Sequence, residues 1–249
     1  MIIKKLYQQI ESDFSLATAA KWDYSGYQYG NKHNTVSGIL VSLDLTTEVI
    51  KAAITKKANV IITHHPFCFG KKKMWQQIEY KQEILKQLKQ SEISVYALHT
   101  NYDGLLNELI LQELNSQKII SFPNVPFTKI GYVTLTADEI ITKLKTIFKI
   151  ETVQHNLTNC YQSIITVALA AGAGGDVISK INGKEVDLFI TGEVKWDQWI
   201  LANEKQLAVV CFNHYMEDFF SIAFAGYLRR KFPTLAITDY HIKNIINYR

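Results

Sequence analysis

Short apolar runs alternate with longer amphipathic ones along the chain. Residues 36–45 (VSGILVSLDL), 59–63 (NVIIT) and 94–98 (SVYAL) are short and apolar enough to read as buried strands. Residues 46–57, 76–90 and 105–114 read as helices. Ile78, Ile84, Leu85 and Leu88 mark the buried face of the second, and Thr46 or Thr47 is placed to cap the first. Residues 1–14 are amphipathic and predict an opening helix. Strands alternating with helices in this way predict an α/β fold with mostly parallel sheets covered on both faces. Residues 121–129 (SFPNVPFTK) hold two of the four prolines and no period, which marks a domain boundary and divides the chain into 1–124 and 125–249. The second half repeats the same grammar. Thr136 and Glu139 form a capping box that opens a helix through Phe148, and residues 163–171, 186–191 and 207–212 read as strands.

Composition narrows the class. A chain of 249 residues, 47% hydrophobic and 20% charged, has the balance of a globular protein and the length to bury a core. No stretch approaches the roughly eighteen uninterrupted apolar residues of a membrane helix. The first residues lack the small-residue cleavage site of a signal peptide. Three cysteines, Cys68, Cys160 and Cys211, are odd in number and widely spaced. That argues against a disulfide framework and a thiolate zinc site, and fits a reducing, cytoplasmic compartment. The net charge of +4 is mild, and the run Lys71, Lys72, Lys73 reads as a solvated loop, so nucleic acid is not the expected partner.

The chemistry gathers where strands end. The strand at 59–63 runs into His64 and His65, and the one at 94–98 into His99 and then Asp103. The strand at 186–191 runs into Glu193, and the one at 207–212 into His214, Glu217 and Asp218. Ligands of α/β sheets bind outside the carboxyl ends of strands, so four such endings point to residues converging on one site. Adjacent histidines point in different directions and suit two neighbouring ions better than one. The bland alternative is a chance pair on a loop, although Pro66 stiffens this turn. Asp103 precedes Gly104 in a predicted tight turn, with helix capping as its alternative role. His214 shares a helix face with Glu217 at i,i+3 and with Asp218 at i,i+4, or else these are ordinary acids at a helix start. The glycine-rich stretch at 170–176 (AAGAGGD) suits anion binding only weakly, since it has neither dinucleotide nor P-loop spacing. Cys68 reads as buried packing rather than a ligand, and Trp22, Tyr24, Tyr27 and Tyr29 as core and rim rather than a stacking platform.

Five of these segments, in order, resemble a known family. WDYSGYQYG, ANVIITHHPF, LHTNYD, VDLFITGEVK and FNHYMED are similar to the motifs of the Nif-three-like dinuclear metal proteins, also described as type-two homologues of GTP cyclohydrolase one. The resemblance spans nearly the whole chain. It implies two Rossmann-like α/β domains with a dinuclear metal site at their interface, and assembly into a ring of six chains. Carried over, the ligands fall on His64, His65, Asp103 and His214. The fifth, a Glu four residues after the last histidine in the family, falls on Asp218, with Glu217 one place earlier. Tyr24 stands where the family has Asn.

Five ligands for two ions leave positions for water, which points to a catalytic rather than a structural centre. The expectation is two divalent ions per chain, zinc, iron, manganese or cobalt. They would serve a hydrolase of the GTP cyclohydrolase kind that opens a purine nucleotide ring, with His99 and Glu193 moving protons. The alternative is a non-catalytic metal-binding or regulatory protein of the same family.

Overall fold

Three of the apolar runs become the centre of one sheet. In the computed structural model, which describes residues 1–70 and 77–246, β2 (Ile39–Ser42), β3 (Val60–Thr63) and β4 (Ser94–Ala97) pair in parallel. All twelve of their residues are buried, as expected of strands covered on both faces. Two strands that the hydrophobic pattern did not reveal complete the sheet. They are β1 (Gly26–Tyr29), antiparallel to β4, and β11 (Ile237–Asp239), parallel to β2, giving the order β1-β4-β3-β2-β11. The run of three lysines and the first residue of the helix expected at 76–90 lie outside the described residues. Of the remainder, Gln77 precedes the helix and Ile78, expected on the buried face, is its exposed N-cap residue; the helix itself, α3, spans Glu79–Gln90. With α2 (Thr47–Thr55), capped by the Thr46 side chain, it covers the sheet through Val49, Ile50, Ala53, Ile84 and Leu88. Half-buried Cys68 packs against the same cluster.

The first unit comprises 1–102 and 220–243. Its opening helix, α1 (Ile3–Asp13), buries Ile3, Leu6, Tyr7 and Ile10, the i, i+3, i+4, i+7 stripe of an amphipathic helix. At its end Asp13 accepts hydrogen bonds from Lys231 and Tyr227 of α7 (Phe219–Lys231). These bonds, that from Lys231 foremost, hold the Asp13 carboxyl below its ordinary value against a small opposing effect of burial. A depressed carboxylate contributes stability that is fully present above the unfolded value and is lost as pH falls through the folded one. Asp13→Asn should therefore lower the unfolding free energy slightly at pH 7, by less than about 1 kcal/mol for so exposed a pair. The gap to wild type should narrow as pH falls below the ordinary carboxylate range, and a gap that stays constant with pH would contradict the assignment.

The second unit comprises 103–219 and 244–249. Its six-stranded sheet has the order β5-β6-β8-β9-β10-β7. The strands are β5 (Lys118–Ser121), β6 (Lys129–Thr136), β7 (Gln154–His155), β8 (Ser163–Ala170), β9 (Leu188–Thr191) and β10 (Val209–Cys211). Only β8-β9-β10 is parallel; β5-β6, β6-β8 and β10-β7 are antiparallel. The expectation of mostly parallel sheets thus fits the first unit, and the second is mixed. The boundary expected at 124/125 falls inside the second unit, because residues 121–129 form a hairpin connection that pairs Lys118 with Tyr132 and Ser121 with Lys129. Division falls instead within α4 (Thr100–Glu113) and at the start of α7. The capping box of α5 (Ala137–Phe148) forms in both directions between Thr136 and Glu139. No described helix is long and apolar enough to cross a membrane.

Candidate metal centre

In the first unit, the chemistry sits at the carboxyl ends of β3 and β4. Thr63 closes the turn after β3 by donating its hydroxyl to the His65 carbonyl at 2.8 Å. The His64 and His65 amides donate back to Leu43 at 3.1 and 3.0 Å. This fixes two consecutive imidazoles with ring centres 5.2 Å apart, and His99 joins them at 5.4 and 5.6 Å. One nitrogen from each of the three lies within 4.8 Å of the others.

Each of these rings spends its Nδ1 on an acceptor. His64 Nδ1 lies 2.7 Å from the Leu98 carbonyl, His65 Nδ1 is 2.8 Å from Asp44, and His99 Nδ1 is 2.8 Å from Asp23. With Nδ1–H donating, the lone pair resides on Nε2. Asp44 lies two residues past the end of β2. Asp23 is buried; that burial raises its affinity for a proton, but hydrogen bonds from His99, Ser25 and Thr100 outweigh it and hold the carboxyl well below the usual range.

The second unit carries a matching set. His214 opens a short 3-10 helix, His214–Asp218, after β10. Its Nδ1 lies 2.7 Å from Glu193 and its Nε2 2.9 Å from Glu217. A 3-10 helix has three residues per turn, so residue i+3 eclipses i and residue i+4 is rotated away. Glu217 is therefore the acid aligned with His214. Asp218 instead takes the hydroxyl of Tyr215, whose own pKa is pushed up to about 12 by burial and by that carboxylate. Glu217 is buried over the turn at Gly172, where φ is +65° and a Cβ would lie 2.2 Å from Glu217 Oε1. Asp103 offers a carboxylate oxygen within 4.8 Å of Glu217. It sits in the first turn of α4 rather than in a tight Asp-Gly turn, since the helix starts at Thr100 and runs through Gly104. Asn107 of α4 accepts from the Ala171 amide at 2.9 Å. The glycine-rich stretch makes its close approaches to the protein's own side chains: Gly172 to Glu217, Gly174 to Thr191 and Gly175 to Gln198.

Each unit by itself thus carries imidazoles whose Nδ1 is held by a carboxylate or carbonyl acceptor, three in the first and one beside a buried carboxylate in the second, the kind of outer partner that orients metal ligands. The chemistry of these residues, imidazole nitrogens and carboxylate oxygens, could hold a metal ion. Residues 1–245 match the Duf34/NIF3 (NGG1p interacting factor 3) family. The chain belongs to the Duf34/NIF3 family. A Duf34/NIF3 relative from Mycoplasmopsis pulmonis, named GTP cyclohydrolase 1 type 2 homolog, is 29% identical over 255 residues, covering 96% of this chain and 98% of that protein. A protein of the same name from Campylobacter jejuni is 27% identical over 232 residues, covering 92% of each. The crystal structure of Staphylococcus aureus protein SA1388 superposes with a TM-score of 0.86 at 20% identity, covering 100% of this chain and 99% of that one. Reduced HcgD from Methanocaldococcus jannaschii gives 0.80 at 22%, covering 96% and 98%. These structural likenesses carry the Duf34/NIF3 fold.

Sequence reasoning about this Duf34/NIF3 chain missed Asp44 and the anchoring role of Asp23. Asp44 followed an apolar run as the histidines do, but the strand was drawn through it to Leu45. Asp23 lies within WDYSGYQYG, 76 residues from the His99 ring it holds, and no local pattern ties the two together.

Proposed function

We propose that this Duf34/NIF3 protein holds two divalent ions on His64, His65, Asp103, His214 and Glu217, and uses them to hydrolyse a nucleotide-class substrate, with the ring of six chains implied by the resemblance as its assembly. One observation carries the reading: His64, His65, His99 and His214 each have Nδ1 set against a carboxylate or carbonyl acceptor, the outer partner that fixes an imidazole's orientation for work at a metal. Bound ions would supply positive charge that acidifies water and stabilises a developing oxyanion. The chain's own part is positional. Asp44 and Glu193 orient His65 and His214, and Asp23 orients His99, which takes or gives a proton at the substrate through Nε2. The relatives' printed name is the support for a nucleotide substrate.

A second reading, metal binding without turnover, has an observation of its own. His99 and Glu193, the two groups expected to move protons, both spend an atom on holding a partner. Elemental analysis of protein purified without chelator should approach about two metals per chain, and His64→Ala should lose at least one. A nucleotide-hydrolysis screen should find activity that disappears on stripping and returns on reloading. A wild type that stays near zero metal after reconstitution overturns the proposal. A fully loaded protein inert on the whole panel decides for the second reading.

A further inference from the structure

Three large aromatic side chains stand exposed beside the first unit's histidines. Trp22 is 59% exposed, Tyr24 42% and Phe69 47%. They contact one another: Phe69 meets Trp22 edge-on at 6.2 Å and Tyr24 at 5.4 Å, and Trp22 meets the His99 ring at 5.8 Å. Exposed rings held at the surface lose the benefit of burial, so a fixed cluster of three needs a reason. The cluster is held in place from beneath. Asp23, between Trp22 and Tyr24, accepts from the Tyr24 amide at 2.6 Å, the Ser25 hydroxyl at 2.6 Å and the His99 ring at 2.8 Å. It also accepts from the Thr100 hydroxyl at 2.6 Å and the Thr100 amide at 3.1 Å. A buried carboxylate with five donors pins the backbone that carries both rings, so little freedom remains to be lost when a ligand settles on them.

From this we propose that Trp22, Tyr24 and Phe69 form a stacking site for a planar heteroaromatic ring, the purine base of a nucleotide. The inference rests on the nucleotide-hydrolase reading above and names the part of the substrate that this surface takes. Aromatic faces and edges offer a planar base a partner regardless of its hydrogen-bonding pattern. The His99 imidazole lies against Trp22, with the His64 and His65 rings 5.4 and 5.6 Å from it, and cations held there would attract phosphate. A ligand with a flat base at one end and an anion at the other matches both halves of this surface.

Titration calorimetry on the full chain tests it, with GMP, guanosine and ribose 5-phosphate as probes. Metal-loaded wild type should bind GMP more tightly than ribose 5-phosphate. Trp22→Ala and Tyr24→Ala should each weaken GMP roughly tenfold to a hundredfold, leaving ribose 5-phosphate and metal content unchanged. Trp22→Phe should recover most of the loss, which a merely unfolded loop would not allow. Guanosine binding to metal-stripped protein should show the same dependence on Trp22, so a failure of the metal reading alone would leave it intact. Equal affinity for GMP and ribose 5-phosphate, or GMP affinity unmoved by Trp22→Ala, overturns the proposal. So does a Trp22→Ala protein whose mass by light scattering falls while GMP affinity holds, since the rings then belong to a contact between copies of the chain.

Discussion

Glu217→Gln is expected to weaken metal binding by at least about a hundredfold, while Asp218→Asn stays within about threefold of wild type. The register of the family motif points to Asp218, four residues after His214. The 3-10 geometry of His214–Asp218 aligns residue i+3 with residue i instead, and Glu217 Oε2 lies 2.9 Å from His214 Nε2. Asp218 meanwhile is engaged by the Tyr215 hydroxyl. Loss of an outer partner of a ligand typically costs ten- to a hundredfold in affinity, so loss of a charged ligand itself lies at or beyond the upper end. Gln keeps the shape of Glu and removes only the charge, which separates ligation from packing. Competition against a fluorescent chelator reads both variants, and an Asp218→Asn protein that loses metal while Glu217→Gln keeps it reverses the assignment.

The second large effect is at Gly172. Gly172→Ala places a methyl 2.2 Å from Glu217 Oε1 at a φ of +65°. Left-handed backbone costs a non-glycine residue about 1–2 kcal/mol, and forcing a side chain out of a filled space adds about 1–3 kcal/mol. A loss of roughly 2–4 kcal/mol in stability should accompany a loss of metal affinity, because the carboxylate is what must move. Gly70→Ala is the internal control. Its φ is +82° but among the described residues nothing lies within 4 Å of the added methyl, so it carries the backbone cost alone and leaves metal binding unchanged. Denaturant unfolding and the same chelator competition measure both. A Gly172→Ala protein with normal metal affinity would remove Glu217 from the centre.

Where sequence and structure agree, the reason is local. Buried parallel strands must be short and apolar, so β2, β3, β4 and β9 announce themselves, and Thr136 with Glu139 is a complete helix signal in four residues. The histidines stand out because each lies within three residues of the end of a short apolar strand. Elements set by distant partners did not stand out. β1 and β11 are half-polar edge strands with weak patterns of their own, and β11 joins β2 across nearly two hundred residues of chain. The antiparallel hairpin of β5 and β6 was read as a boundary because its prolines look like punctuation. Asp103 was expected in a turn, since Asp-Gly is a turn signal in isolation, yet α4 begins three residues earlier and carries it along. The choice between Glu217 and Asp218 needed the pitch of a five-residue helix, which no periodicity of that length reveals.

The placement of β11 also sets an order of events during synthesis. All six strands of the second sheet lie between Lys118 and Cys211, so that sheet has its full complement of strands before residues 237–239 are translated. The first sheet, whose β1 to β4 precede the second sheet along the chain, must wait with β2 as an open edge until residues 237–239 emerge. An unpaired edge is an invitation to the wrong neighbour. The vulnerable interval for this protein is therefore the time its amino-terminal half spends unfinished while its middle is already built.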